Sequence, residues 1–183
     1  MKNILVILFL YFPAFLQAQS STVYGLKFKA LDKGNINMSD YKSKKIIVVV
    51  CDAKQPDQQQ LLSLDSLYRN NKKILSVIAV PVEDFNNNVD EKELKRILLK
   101  QLGISFPITA ISKAKKNTGN AQHELLQWLT KKESNKKVDK DVQYDGELFV
   151  LNEKGNLYAR LSQKMSVNNP FFIRILAQTL PTN

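Results

Sequence analysis

Ile46-Ile47-Val48-Val49-Val50-Cys51 and, after a helix-sized interval, Ile74-Leu75-Ser76-Val77-Ile78-Ala79-Val80 are the two segments that decide the fold. The first run does not alternate apolar with polar residues. Both of its faces must therefore be buried, as in a central strand of a sheet covered by helices on each side. The second run reads the same way and is closed by Pro81. Between them Pro56 opens a helix at a position where its missing N–H costs nothing. Leu61, Leu62, Leu64, Leu67 and Tyr68 give that helix an apolar stripe, and Asn70-Asn71 ends it. Strand, helix, strand in this succession is a βαβ unit, so the two strands should run parallel.

Outward from this unit, Val23 to Leu31 alternates as a half-buried strand, and Asp32-Lys33-Gly34-Asn35 is turn chemistry. Val89 to Leu102 predicts a helix with Leu94, Ile97, Leu98 and Leu102 on one face, ended by Gly103. Phe106 to Ile111 predicts a short strand, Ala121 to Leu129 a helix, and Ser134 to Val142 a polar loop. Leu148–Leu151 and Leu157–Leu161, joined by a turn containing Gly155, predict a β-hairpin. Pro170 opens a last helix carrying Phe171, Phe172, Ile175 and Leu176. A parallel βαβ unit followed by a hairpin and a terminal helix is the order of a thioredoxin-like α/β fold. Its central mixed sheet is flanked by helices, with one helix and one strand inserted in the middle.

The N-terminus reads as a signal peptide over residues 1–18. Lys2 precedes an apolar run, Leu16-Gln17-Ala18 ends in a small residue, and polar Gln19-Ser20-Ser21 follow. The run is shorter than the roughly 20 apolar residues of a membrane span, and no cysteine stands beside the cleavage point for lipid attachment. The expectation is an exported chain, periplasmic or extracellular, with a single domain over residues 19–183 and no transmembrane segment. A monomer is expected.

The formal net charge is +10, and Lys2 is the only charged residue of the leader. In a cytosolic chain this excess would point to nucleic acid; export sets that partner aside. The lysines fall in separate clusters, Lys42-Lys44-Lys45, Lys72-Lys73, Lys113-Lys115-Lys116 and Lys131-Lys132-Lys136-Lys137. They read as a solvated surface or as attraction to an anionic cell-envelope surface. The single cysteine, Cys51, excludes an intramolecular disulfide. With His123 as the other soft ligand, it is too little for a zinc site, and no cofactor is expected.

Three further stretches carry a family resemblance. Met38-Ser39-Asp40-Tyr41-Lys42-Ser43-Lys44 leads into the first buried strand and on to Leu64–Tyr68. Val80-Pro81-Val82-Glu83-Asp84-Phe85 follows the second strand. Gly103-Ile104-Ser105-Phe106-Pro107 precedes Gly119-Asn120-Ala121 and Leu125–Leu129. In this order and spacing they resemble the glutathione peroxidases, thioredoxin-fold thiol or selenol peroxidases, over roughly Val23 to Leu180.

The resemblance implies an active site of four side chains. An ionised cysteine or selenocysteine attacks the peroxide, and a glutamine, a tryptophan and an asparagine donate hydrogen bonds to it. Carried across, the nucleophile position falls on Gln55, the glutamine on Asp84 beside Glu83, and the tryptophan and asparagine on Tyr144 and Asp145. The second cysteine of thioredoxin-dependent members falls on Leu98. Gln55 cannot form a sulfenic acid, and carboxylates at 84 and 145 would repel a thiolate rather than activate it. The expectation is a protein with no or very low peroxidase activity and a binding role. The alternative is a one-cysteine thiol peroxidase acting through Cys51, with glutathione or a thioredoxin-like protein as reductant. Cys51 could equally be a small core residue. Glu83, Asp84 and Asp145 could converge on Gln55 as an oxygen-ligand cation pocket, or form a solvated acidic patch. His123 reads as a surface or helix-end residue.

Overall fold

The computed structural model describes residues 22–161 and 165–178, so the leader expected over residues 1–18 lies outside them. A hairpin of β1 (Lys27–Lys29) and β2 (Asn35–Asn37) comes first. The main sheet follows: β3 (Lys45–Asp52), β4 (Leu75–Val82), β5 (Leu148–Leu151) and β6 (Leu157–Leu161) in the order β4-β3-β5-β6. β3 is parallel to β4 and antiparallel to β5, and β5 is antiparallel to β6. The mixed α/β sheet expected from the sequence is therefore present.

β3 is buried at all eight positions and divides the core. Ile47, Val49, Cys51 and Ala53 pack with Leu61 and Leu64 of α1 (Gln58–Asn71), with Leu94 and Leu98, and with Phe172 and Ile175 of the final helix. Ile46, Val48 and Val50 face the other way, onto Met38, Leu125, Leu126 and Leu129. Fully burying each such side chain contributes roughly 1.5–3 kcal/mol, so this strand anchors both layers.

α1, the helix at Glu91 and the last helix start on side-chain caps. Asp57, not Pro56, caps α1, and its carboxylate accepts from the Gln60 amide at 3.1 Å. Asp90 caps α2 (Glu91–Lys95), which continues as π-helical turns over Arg96–Gln101 and stops at Gly103, φ +60°. α3 (Glu124–Thr130) and α4 (Lys132–Asn135) follow. Asn169 caps α5 (Pro170–Ala177), with Pro170 in its first turn. Among the described residues, no helix is long and apolar enough to cross a membrane.

Four expectations are corrected. Val23–Gly25 is a 3-10 turn rather than strand, because Leu26 donates back to the Val23 carbonyl and Val23 drops into the core. Residues 106–111 form isolated bridges, Ile108 to Ala79 and Thr109 to Ala30, not a strand; Pro107 has no N–H to extend a ladder. Ser134–Val142 is not wholly loop, since α4 ends at Asn135, whose side chain accepts from the Lys137 and Val138 amides. Ile74 does not join β4 but stands 67% exposed beside it.

The turn between β5 and β6 sets where the N-terminal segment lies. Gly155 has φ +77°, and a Cβ there would sit 2.6 Å from the Tyr24 ring and 2.9 Å from a Val23 methyl. The Tyr24 hydroxyl donates to the Glu153 carbonyl at 3.0 Å. Gly34 has the same φ, but nothing lies within 4 Å of its Cβ position. Gly34→Ala should therefore cost only the left-handed backbone strain, about 1 kcal/mol. Gly155→Ala adds a clash with a fixed aromatic ring and should cost upwards of ~2 kcal/mol, a fall in Tm of roughly 5 °C or more. Equal melting temperatures for the two variants would disprove the packing of Tyr24 on this turn.

Candidate functional site

β5 accompanies β3 only as far as Val49, opposite Leu148. Beyond that point the backbone of β3 still has buried polar groups to satisfy. The Val50 N–H and C=O are taken by the Glu147 carbonyl at 3.0 Å and the Gly146 amide at 2.9 Å. The Asp52 amide donates to the Asp145 carboxylate at 2.8 Å. Asp52, itself 4% exposed, turns its own carboxylate onto the next loop. It accepts from the Lys54 amide at 2.8 Å and the Gln55 amide at 3.4 Å, and its other oxygen accepts from the Asn86 side chain. Gln55 lies on the surface of that loop, directly before buried Pro56 and the α1 cap.

The loop carrying Tyr144 and Asp145 is clamped on both sides. The Gln60 side chain donates to the Gly146 carbonyl at 2.9 Å. Glu147, 0% exposed, accepts from the Gln143 amide at 2.9 Å and pairs with Arg160. The Arg160 guanidinium also donates to the Lys140 and Asp141 carbonyls and lies 5.1 Å from the centre of the Phe149 ring. Removing one partner of such a buried, hydrogen-bonded charge pair leaves the other unpaired and typically costs about 3–5 kcal/mol.

Cys51 is 1% exposed and packed on the α1 side of the sheet. Burial pushes its thiol well above the ordinary value, and the negative charges of Asp145 and Asp52 push it further. A thiolate at this position is disfavoured by both its burial and the charges beside it.

The structure brings Gln55 and Asp145 to one end of β3 through Asp52, whereas Tyr144 points outward, 54% exposed. Glu83 and Asp84 are committed elsewhere. Glu83 pairs with Lys113 at 2.8 Å, a hydrogen bond that raises the lysine above its ordinary value. Asp84 accepts from the Ala114 amide at 2.6 Å. Glu83, Asp84 and Asp145 are thus not gathered into an oxygen cage. Among the described residues, no three His, Cys, Asp or Glu side chains are grouped to hold a metal. Leu98 is fully buried in the core.

The residues missed by sequence reasoning are Asp52, Asn86, Gln60, Glu147 and Arg160. One signal was available: an aspartate directly after a fully apolar strand, two residues before the next loop amide, is the pattern of an Asx turn. Asn86, Glu147 and Arg160 act through contacts far apart in sequence, which no local pattern reveals.

His123 is a helix-end residue, as expected, but it is buried rather than on the surface. Its Nδ1 accepts from the Leu125 amide at 3.2 Å, capping α3, and its ring meets Phe28 edge-on at 4.8 Å. Accepting at Nδ1 requires the neutral imidazole with its proton on Nε2. Burial lowers its pKa from 6.5 to about 4.

The glutathione peroxidase family profile matches residues 23–130. The chain is 24% identical over 146 residues to a glutathione peroxidase-like peroxiredoxin of Candida albicans, covering 78% of this chain and 85% of the relative. It is 29% identical over 132 residues to a glutathione peroxidase of Lactococcus lactis, covering 70% and 82%. Of solved structures, T. cruzi GPX1 superposes with a TM-score of 0.61 at 17% identity, covering 85% of this chain and 96% of that one. A secreted Mycobacterium tuberculosis disulfide oxidoreductase superposes with a TM-score of 0.57 at 11% identity, covering 85% and 97%. The chain belongs to the glutathione peroxidase family.

The buried, neutral His123 makes stability depend on pH with a definite sign. The unfolded chain binds a proton at 6.5 and the folded chain only near 4. Stability is therefore complete above 6.5 and is lost as pH falls from 6.5 toward 4. By about pH 5 the loss from this residue approaches 2 kcal/mol as an upper limit. His123→Asn keeps a capping acceptor but cannot titrate. In urea unfolding, the stability gap between wild type and variant should narrow by this amount between about pH 7 and pH 5. A gap constant with pH would show that His123 is not held neutral.

Proposed function

We propose that this member of the glutathione peroxidase family is exported and does not turn over peroxides by thiol chemistry, serving instead as a binding protein. The observation that carries the reading is the hydrogen bonding at the end of β3. The family's nucleophile position falls on Gln55, an exposed side chain without redox chemistry. The single thiol, Cys51, is buried, and that burial, followed by the charges of Asp145 and Asp52, raises its pKa. Asp145, at the family's asparagine position, holds the Asp52 amide. Asp84, at the glutamine position, holds the Ala114 amide. Both side chains accept hydrogen bonds where peroxide chemistry calls for donors. Export to the periplasm or the medium is supported by the apolar leader and by the likeness to a secreted disulfide oxidoreductase.

The test is hydroperoxide consumption with glutathione or a thioredoxin as reductant, for wild type and Cys51→Ser. Both should match the protein-free rate, and a bulky maleimide should label Cys51 only in denaturant. Robust turnover abolished by Cys51→Ser would overturn the proposal in favour of a one-cysteine peroxidase. Turnover surviving the substitution would exclude thiol chemistry and inactivity together. Gln55→Cys combined with Asp84→Gln and Asp145→Asn should gain peroxide reactivity if the residue correspondence is right. For export, the N-terminus of protein recovered outside the cytoplasm should be Gln19; recovery of intact Met1 protein from the cytoplasm alone would refute it.

A further inference from the structure

Among the exposed large apolar side chains, Ile74 and Ile173 stand out because they share one groove. It lies between the C-terminal end of α1 and α5, has a volume of about 270 Å³, and its apolar walls are Leu67, Ile74, Leu75, Val167, Ile173 and Leu176. Ile74 is 67% and Ile173 52% exposed. Single exposed apolar residues are ordinary, whereas a contiguous apolar patch marks an interaction site. Ile74 opens the entry to β4 yet adds nothing to the core, so packing does not account for it.

The charge left unpaired around the groove is positive. No acidic side chain lines it. The one lysine in its wall, Lys45, is already neutralised by Glu153 at 2.5 Å and also donates to the Gln178 carbonyl at 2.7 Å. Lys72 and Lys73 directly precede Ile74, and the Lys44 ammonium reaches the Lys72 carbonyl at 2.9 Å. Lys44, Lys72 and Lys73 have no acidic partner among the described residues. Arg174 follows Ile173 on the outer side of α5 and is exposed. Two lysine clusters that stand 28 positions apart in sequence, at Lys44 and at Lys72, are thus joined at the rim of an apolar groove.

We infer that this face docks on an anionic phospholipid surface, with Ile74 and Ile173 entering the headgroup–acyl boundary and Lys44, Lys72, Lys73 and Arg174 meeting the phosphates. Apolar side chains flanked by uncompensated cations are the combination that binds such a surface, through apolar burial together with electrostatic attraction. Each lysine near an anionic leaflet raises partitioning roughly fivefold. The groove is independent of the β3 end, so its role stands whether or not the protein reduces peroxides.

The experiment is co-sedimentation of the full chain with phosphatidylcholine vesicles, with and without phosphatidylglycerol, at low and high salt. Two paired variants are compared, Lys72→Glu/Lys73→Glu and Ile74→Ser/Ile173→Ser, each checked for an unchanged Tm since all four side chains are exposed. Wild type should bind the phosphatidylglycerol vesicles, lose binding in high salt, and bind pure phosphatidylcholine weakly. The lysine pair should lower partitioning by more than tenfold and the isoleucine pair by several-fold. Because both variants keep residues 1–18, any binding through the leader survives in them. Equal binding to both vesicle types, or binding unchanged in both variants, overturns the inference. So does groove-dependent self-association in sedimentation velocity without vesicle binding. Should the lysine variant unfold, Lys72→Gln/Lys73→Gln gives the same reading with a smaller loss.

Discussion

The architecture at the end of β3 depends on one constraint: a central strand that outruns its neighbour must still satisfy its buried amides. β5 stops opposite Val49, and β3 continues to Asp52. Side-chain carboxylates complete the ladder, Asp145 for the Asp52 amide and Asp52 for the amides at 54 and 55. A buried amide without a partner costs about 1–3 kcal/mol, so the Asp145 acceptor is needed at buried Asp52, while Asp52 itself orders the exposed turn at 54 and 55. The same two charges face the only thiol and disfavour its ionisation. The carboxylates that close the loop are therefore the same ones that, after burial, add to the rise in the thiol's pKa. A site that kept a thiolate here would have to satisfy these amides with neutral acceptors instead.

The Tyr144–Asp145 loop must hold its position for this to work. Its rigidity comes from Glu147, whose carboxylate is fully buried between the Gln143 amide and Arg160. Arg160 comes from β6, so the hairpin reaches across β5 to brace the loop that precedes it. Gln60 adds a brace from the first turn of α1. The loop is held by helix, strand and carboxylate together.

Much of the fold was legible because it rests on local pattern. Six consecutive β-branched or small apolar residues at 46–51 can be satisfied only by burial on two faces, and the structure places alternate members in the two core layers. Gly103, Pro170 and Gly155 marked the end of the Val89–Leu102 helix, the start of α5 and the turn of the last hairpin. The failures share a cause. Val23–Gly25 has strand-like alternation, but Val23 and Tyr24 pack against Gly155, a tertiary contact that no local pattern reveals. Residues 106–111 are extended as expected yet pair only at single points, because they bridge β4 to β1 rather than extend a sheet. At the site, the bonding of the positions named by resemblance was not legible in the sequence. Asp84 and Asp145 read as free anions in sequence, and each proves to be a backbone acceptor.

That last difference changes the meaning of the substitutions. Had the carboxylates been free, a degenerate acidic patch or a cation pocket would have been the natural reading. Since each is bound to a specific amide, reverting them one at a time should disturb the fold as well as the charge. Asp145→Asn retains a carbonyl oxygen for the Asp52 amide, whereas Asp84→Gln lengthens the side chain that reaches Ala114. The two positions are therefore unequal: asparagine at 145 keeps an acceptor in place for the Asp52 amide, whereas glutamine at 84 displaces the acceptor of the Ala114 amide.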